Sequence, residues 1–483
     1  MSALQLESRP RVAPLAWGLV GLAAAAAVGS TVSIKTTLAI GIALGIAATI
    51  RAFSRPTSIL ALLCISIFLE LLTIGGLTIT RALTPVALLV LVVQTAREKA
   101  RVRVAAPLVW VGGYTAWALA SGLWTNSLAG TSFSVQSLAI ALVYMFCFAA
   151  LPREIEDVRR PLMVLAVTSL VVGGLSFLSF FGKIHISLFL KEGRAQGGVG
   201  DPDFFSALEL ATLPAVLTLG SLARGAWRRV IVYGAVLVSI GSVLTSQSRG
   251  GAIGLVFLLV ILIALPARTL FRTRKQKLLG LLCIFGAGTA LIVHSPWAVL
   301  PRLQTIAGPS QNGSAAGSGR LEIWKAAEHT IRDHPLFGTG YGSFPHESNY
   351  LLLNTAGVDL TYYYLRPTGA EAHNVYLGTW AELGIVGLVL YVGMLVSTAI
   401  TLRRTAVRAA KAGAHFIARL ANGLLLGLCS WSITSFFLST ATARWFWIIV
   451  GLSLALPRLI PEPDYRSNAP AAGDVGRRWP LTS

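Results

Sequence analysis

The chain has 483 residues, 54% of them hydrophobic and only 12% charged, and a formal net charge of +20. Soluble globular proteins carry about 25% charged residues, so a water-soluble fold is excluded. The basic residues fall in short loops between apolar runs, which excludes a nucleic-acid partner and fits the positive-inside pattern of a protein whose partners include membrane lipids.

In chain order, Arg9 and Arg11 precede an apolar run from Ala16. No small-residue cleavage site leads into a soluble domain, so this start reads as a retained anchor rather than a signal peptide. Apolar runs long enough to cross ~30 Å of hydrocarbon predict spans near 15–30, 33–50, 57–75, 82–96, 105–124, 132–151, 161–181, 204–222, 230–245, 251–266, 278–294, 374–400, 418–438 and 444–458. The expected fold class is all-α: a polytopic membrane helical bundle of about 12–14 spans, with one large extracytoplasmic loop containing short helices. Four segments follow: a transmembrane bundle at 1–293, the loop at 294–372, C-terminal transmembrane helices at 373–460, and a disordered cytoplasmic tail at 461–483.

Alternation of the spans puts the basic clusters on one face: Arg51 and Arg55; Arg97, Lys99, Arg101 and Arg103; Arg153, Arg159 and Arg160; Arg224, Arg228 and Arg229; Arg268, Arg272, Arg274, Lys275 and Lys277; Arg403, Arg404, Arg408 and Lys411. In the long loop Arg302, Arg320, Lys325, Arg332 and Arg366 are balanced by Glu322, Glu328, Asp333, Glu347, Asp359 and Glu371. The basic loops and both termini are therefore expected in the cytoplasm and the long loop outside. Cys64, Cys147, Cys283 and Cys429 lie far apart in apolar runs and read as packing residues.

Three outward segments can hold chemistry: 182–203, the turn Ser246-Gln247-Ser248-Arg249-Gly250-Gly251, and the long loop. Within the loop, 307–319 is a Gly/Ser-rich connection. Ser318 offers an N-cap, and Leu321, Trp324, Ala327 and Ile331 recur at helical spacing as one face of a short amphipathic helix.

His373 stands where the wet loop meets the apolar run from Asn374. It reads either as a helix-start residue that merely hydrogen-bonds or as a proton acceptor kept neutral by the positive end of the helix macrodipole. Glu371 and Glu382 are near it in sequence. Arg320 opens the loop helix, where a cation is electrostatically misplaced unless it serves an anion; the plainer reading is a solvated arginine packed on Trp324. Arg194 lies among glycines that permit close backbone approach, either as a ligand-binding residue or paired with Glu192 or Asp201. Arg249 is either a snorkelling interface residue or part of a basic lining. Three outward arginines and one histidine suit a diphosphate substrate, with guanidinium forks on phosphate oxygens and an imidazole deprotonating an attacking hydroxyl. No phosphate loop, dinucleotide fingerprint or aspartate-rich metal motif accompanies them, so no cofactor and no metal is expected.

These residues resemble the bacterial O-antigen ligase and O-antigen polymerase family of integral-membrane glycosyltransferases. The resemblance rests on Arg320-Leu321-Glu322-Ile323-Trp324, the run His334 to Phe344 (HPLFGTGYGSF), Ala372-His373-Asn374-Val375-Tyr376-Leu377, and Glu382-Leu383-Gly384-Ile385-Val386-Gly387. Gly193-Arg194 through Asp201-Pro202-Asp203 and Ser246-Gln247-Ser248-Arg249-Gly250 are similar to shorter family segments. The resemblance implies a GT-C-like fold in the bacterial inner (plasma) membrane, with the large loop on the periplasmic side. It also implies a polyprenyl-diphosphate-linked glycan donor, a glycan or lipid A–core acceptor, and inverting, metal-independent transfer. On that model His373 is the general base, Arg194 and Arg320 clamp the diphosphate, and Arg249 is a third member. At the Asp203 position many family members carry Asn, so no role is attached to Asp203.

Two other classes compete. A secondary transporter of a small solute or ion would use Glu70 and Glu209, which lie within predicted spans, but the hydropathy shows no two-fold repeat of the transporter kind. A peptidoglycan polymerase of the shape-and-division type would rely on an outer-loop aspartate, which the His373 and Arg320 context does not match.

Overall fold

The computed structural model describes residues 57–461, apart from 75, 98, 103, 221–224, 295–319, 357, 359–368 and 440. The expected spans 15–30 and 33–50, the connection 307–319 with Ser318, and the tail beyond 461 lie outside the described residues.

Fourteen helices matter below. In chain order they are α1 (Ser58–Ser66), α2 (Ile79–Ala96), α3 (Ala106–Ala120), α4 (Leu128–Ala150), α5 (Ile155–Phe180), α6 (Pro202–Gly220) and α7 (Ala226–Thr245). There follow α8 (Arg249–Ala264), α9 (Arg274–His294), α10 (Arg320–Asp333), α11 (Phe344–Asn354), α12 (Val375–Lys411), α13 (His415–Thr434) and α14 (Arg444–Ala455). The strands are two short antiparallel hairpins, β1 (Thr73–Ile74) with β2 (Leu77–Thr78) and β3 (Leu190–Lys191) with β4 (Arg194–Ala195). The protein is thus an all-α polytopic membrane protein. Among the described residues, seven helices are long and apolar enough to cross a bilayer: α2, α4, α5, α6, α7, α12, and α13 with its 3₁₀ extension to Phe437. The expected span at 57–75 is instead the nine-residue α1 followed by a hairpin, because Gly76 (φ 84°) turns the chain back.

The core is built around α6. Its span is 89% buried, and it packs against α7 and α13. Gly423 and Gly427 of α13 sit against the backbone carbonyls of Pro214 and Ala211, the small-residue contact that lets membrane helices approach closely. Cys64 and Cys147 are buried and Cys429 is half-buried, and none of the three is in a disulfide.

Contacts join the basic loops at one end of the bundle. Arg153 Nε donates to the Lys99 carbonyl at 3.1 Å, and Arg458 donates to the carbonyls of Arg101 and Ala149. The opposite end carries the hairpin β3–β4, the loop helices α10 and α11, and the start of α12.

That end is shaped by a break in α12. Gly384 adopts φ 65°, ψ −173° inside the helix, a conformation open only to glycine. A break orphans backbone groups, and the run Pro335–Gly342 takes up those groups. Ile385 N–H donates to the Pro335 carbonyl at 2.9 Å, while Thr339 N–H and Gly340 N–H donate to the carbonyls of Ala381 and Glu382 at 3.0 and 2.8 Å. The Leu383 carbonyl accepts from Trp117 Nε1 at 2.8 Å. Trp124 Nε1 and Trp380 Nε1 bond the carbonyls of Phe337 and Pro335, giving the aromatic collar expected at a membrane interface.

Over this plug the loop has a small core of its own. Ile323, Ala326, Ala327 and Ile331 of α10 pack with Phe344, Leu352, Ala370, Ala372 and Ala381. The buried face of α10 therefore differs from the expected one: Leu321 is exposed, because the stripe centres on 323, 326, 327, 330 and 331.

Candidate functional site

Arg194 opens β4, directly after a two-residue turn in which Glu192 (φ 51°) and Gly193 (φ 73°) are both left-handed. This is the type I′ geometry that matches strand twist, and it aims the Arg194 side chain inward. Its Nε donates to the Ser246 carbonyl at 2.8 Å, at the end of α7. Its Nη2 lies 2.6 Å from Asp203 Oδ1, so its acid partner is neither Glu192 nor Asp201.

Asp203 is fixed by the start of α6. Asp201 Oδ1 accepts from Phe204 N–H at 2.9 Å as an N-cap, and Pro202 follows at the first helical position. Asp203 Oδ2 takes Arg320 Nη2 at 2.7 Å, and the Ser248 hydroxyl also bonds this carboxylate. The three side chains are only 14–18% exposed. Arg249 begins α8 immediately after Ser248, whose own side chain caps that helix on Gly251 N–H at 3.0 Å. One carboxylate thus gathers Arg194 and Arg320, leaving net positive charge, and Arg249 follows Ser248 in the chain. A guanidinium carries five N–H donors, so each arginine keeps donors beyond those Asp203 uses.

His373 sits directly before the N-cap of α12. The cap itself is Asn374, whose Oδ1 accepts from Tyr376 and Leu377 N–H at 3.0 and 3.2 Å, so capping is not the histidine's task. His373 adopts φ 48°, a left-handed backbone uncommon for a side-chain-bearing residue and concentrated at functional positions. Its N–H donates to Ser439 Oγ at 3.0 Å, and the residue is half-buried.

The link from His373 to the arginines runs through Trp324. Its Nε1 donates to the Ala372 carbonyl at 2.9 Å, one turn along α10 from Arg320. Glu382, near His373 in sequence, instead accepts from Gly342 N–H at 2.9 Å and secures the loop. Glu70 is paired with Arg444 Nη1, 2.8 Å from each carboxylate oxygen, and follows α1 instead of lying mid-span. Among the described residues, no cluster of three His, Cys, Asp or Glu side chains gathers at metal-ligand distance.

Residues 234–392 match the family model Wzy_C, O-antigen ligase. The chain carries an O-antigen ligase family domain. That domain runs from within α7 past the break in α12 and includes Arg249, Arg320, Trp324 and His373. Arg194 and Asp203 precede the matched stretch, yet meet the O-antigen ligase residue Arg320 in space. Comparison with curated proteins gave no match.

Asp203, Trp324 and Ser439 are the site members that sequence reading passed over. The N-cap pattern Asp201-Pro202-Asp203 marks a helix start, but only the fold brings Arg320 onto it.

Proposed function

We propose that the protein transfers a glycan from a polyprenyl-diphosphate donor to an acceptor hydroxyl. The O-antigen ligase match supports glycosyl transfer in a membrane. The observation that carries the finer reading is the shared carboxylate of Asp203, which orients Arg194 and Arg320 side by side at the bundle end where His373 opens α12.

The imidazole of His373 takes the acceptor hydroxyl proton. The oxygen attacks the anomeric carbon from the face opposite the diphosphate, the C–O bond to the diphosphate breaks, and the configuration inverts. Negative charge grows on the departing diphosphate, where Arg194 and Arg320, joined by Arg249, stabilise it. Guanidinium groups carry the charge role that a metal otherwise fills, so the transfer is metal-independent. Asp203 holds the forks in register before the donor arrives.

The basic loop ends favour a cytoplasmic side for that face and both termini, with the 294–372 loop on the periplasmic side of the inner membrane. The segments 1–293 and 373–460 then form the membrane body. The acceptor is a lipid A–core sugar or a second lipid-linked repeat.

The test is transfer by the purified chain in lipid nanodiscs from a lipid-linked oligosaccharide, with and without chelator, read by mass spectrometry and anomeric NMR. Product of inverted configuration with either acceptor, unaffected by chelator, is expected. No transfer to either acceptor refutes the reading.

A further inference from the structure

Within the span of α6, Glu209 is fully buried. Its Oε2 accepts from Ser169 of α5 and Ser239 of α7, each at 2.7 Å. Its Oε1 has no hydrogen-bond partner among the described residues, and neither does the hydroxyl of Ser242 on α7. Both atoms face the space beside Gly173 of α5: a Cβ placed there would lie 2.7 Å from Ser242 Oγ and 3.5 Å from Glu209 Oε1. No charged group among the described residues acts on this carboxyl; only the serine hydroxyls do.

An ionised carboxylate without a cation is strongly disfavoured inside a membrane. A proton on Oε1 removes that charge while Oε2 keeps its two donors. We propose that Glu209, held by Ser169 and Ser239, is an intramembrane proton-binding site that is loaded at neutral pH.

The site lies close below the end that bears the arginines, on α7 as on α6. Ser239, Ser242 and Ser246 follow one another along the helix, and the Ser246 carbonyl holds Arg194 Nε. Glu209 lies six residues below Asp203 on α6, ~9 Å at ~1.5 Å per residue. The site stands whether or not the glycosyl-transfer reading holds.

Infrared difference spectroscopy on the full chain in lipid nanodiscs at neutral pH tests it. Subtracting the Glu209→Gln spectrum is expected to leave one protonated-carboxyl C=O band, which shifts down in D2O. Ser239→Ala, which keeps the carboxyl and removes one of the two donors to Oε2, is expected to move that band to higher frequency. Loss of a carboxylate band pair instead, a band unmoved by D2O, no shift in Ser239→Ala, or a band that sodium abolishes would each overturn the proposal.

Discussion

Arg194 and Arg320 grip opposite oxygens of one carboxylate, at 2.6 and 2.7 Å from Asp203. The first comes from a hairpin rooted in the membrane bundle, the second from the helix that opens the loop cap. Asp203→Asn keeps the shape but leaves two guanidinium groups facing each other without a counter-charge. Removing one partner of a poorly exposed ion pair costs about 3 kcal/mol. Transfer is expected to fall at least ~10-fold, with earlier proteolysis of the loop; unchanged kinetics would remove Asp203 from the site.

His373→Asn separates base from backbone. Asn tolerates the left-handed conformation that His373 adopts at φ 48°, so folding and expression should persist. Loss of a general base lowers turnover by ~10²–10⁴-fold, read as product formed per minute by purified protein at saturating donor.

Trp324→Phe keeps the ring and loses only the Nε1–H bond to the Ala372 carbonyl. About 1 kcal/mol of cap attachment goes with it. A several-fold drop in kcat with donor affinity retained is expected, since the arginines remain while the histidine loses its tie.

Gly384→Ala forces a Cβ onto the Leu336 carbonyl and a strained φ of 65°. The chain must straighten α12 or expel the Pro335–Gly342 plug, and either outcome costs more than ~2 kcal/mol. Thermal unfolding in detergent should occur several degrees lower, with activity lost.

Glu347, half-buried in α11, has its carboxyl pushed above the ordinary 4.5 by burial, opposed by a hydrogen bond from Asn126 and by His334 and His346. Its folded state therefore holds a proton more tightly than its unfolded state, so its contribution to stability falls as pH rises from that range through the folded value. Glu347→Gln is expected to gain melting temperature over the parent at pH 7 and none at pH 4.

Much of the fold could be read from the chain because the membrane demands long apolar runs, and 132–151, 161–181 and 204–222 stand close to α4, α5 and α6. The turn after α7 and the loop helix from Arg320 were also legible, though the turn is only Ser246 to Ser248 and Arg249 already begins α8. The hairpin replacing a span at 57–75 was not, because its apolar composition suits either a helix or an edge packed on the bundle. Nor was the buried face of α10, where Leu321 fits the helical spacing but faces outward while Ile323 is packed. Within the site, Arg194, Arg249, Arg320 and His373 were visible as cations and an imidazole beside apolar runs. Asp203 was passed over because a carboxylate reveals its partners only through folding, and here they come from segments far apart in sequence. The run His334 to Phe344 was legible only as a segment of family resemblance; its peptide groups repair the broken helix.

That repair also fastens the cap to the bundle. In the first half of α12, Val375 and Leu383 pack in the bundle core and the Tyr376 hydroxyl donates to the Ser432 carbonyl, while Ala381 packs with the loop helices. The imidazole of His373 therefore stands at the head of a half-helix stapled to both layers, and the latch between Asp203 and Arg320 is a second staple between the same two.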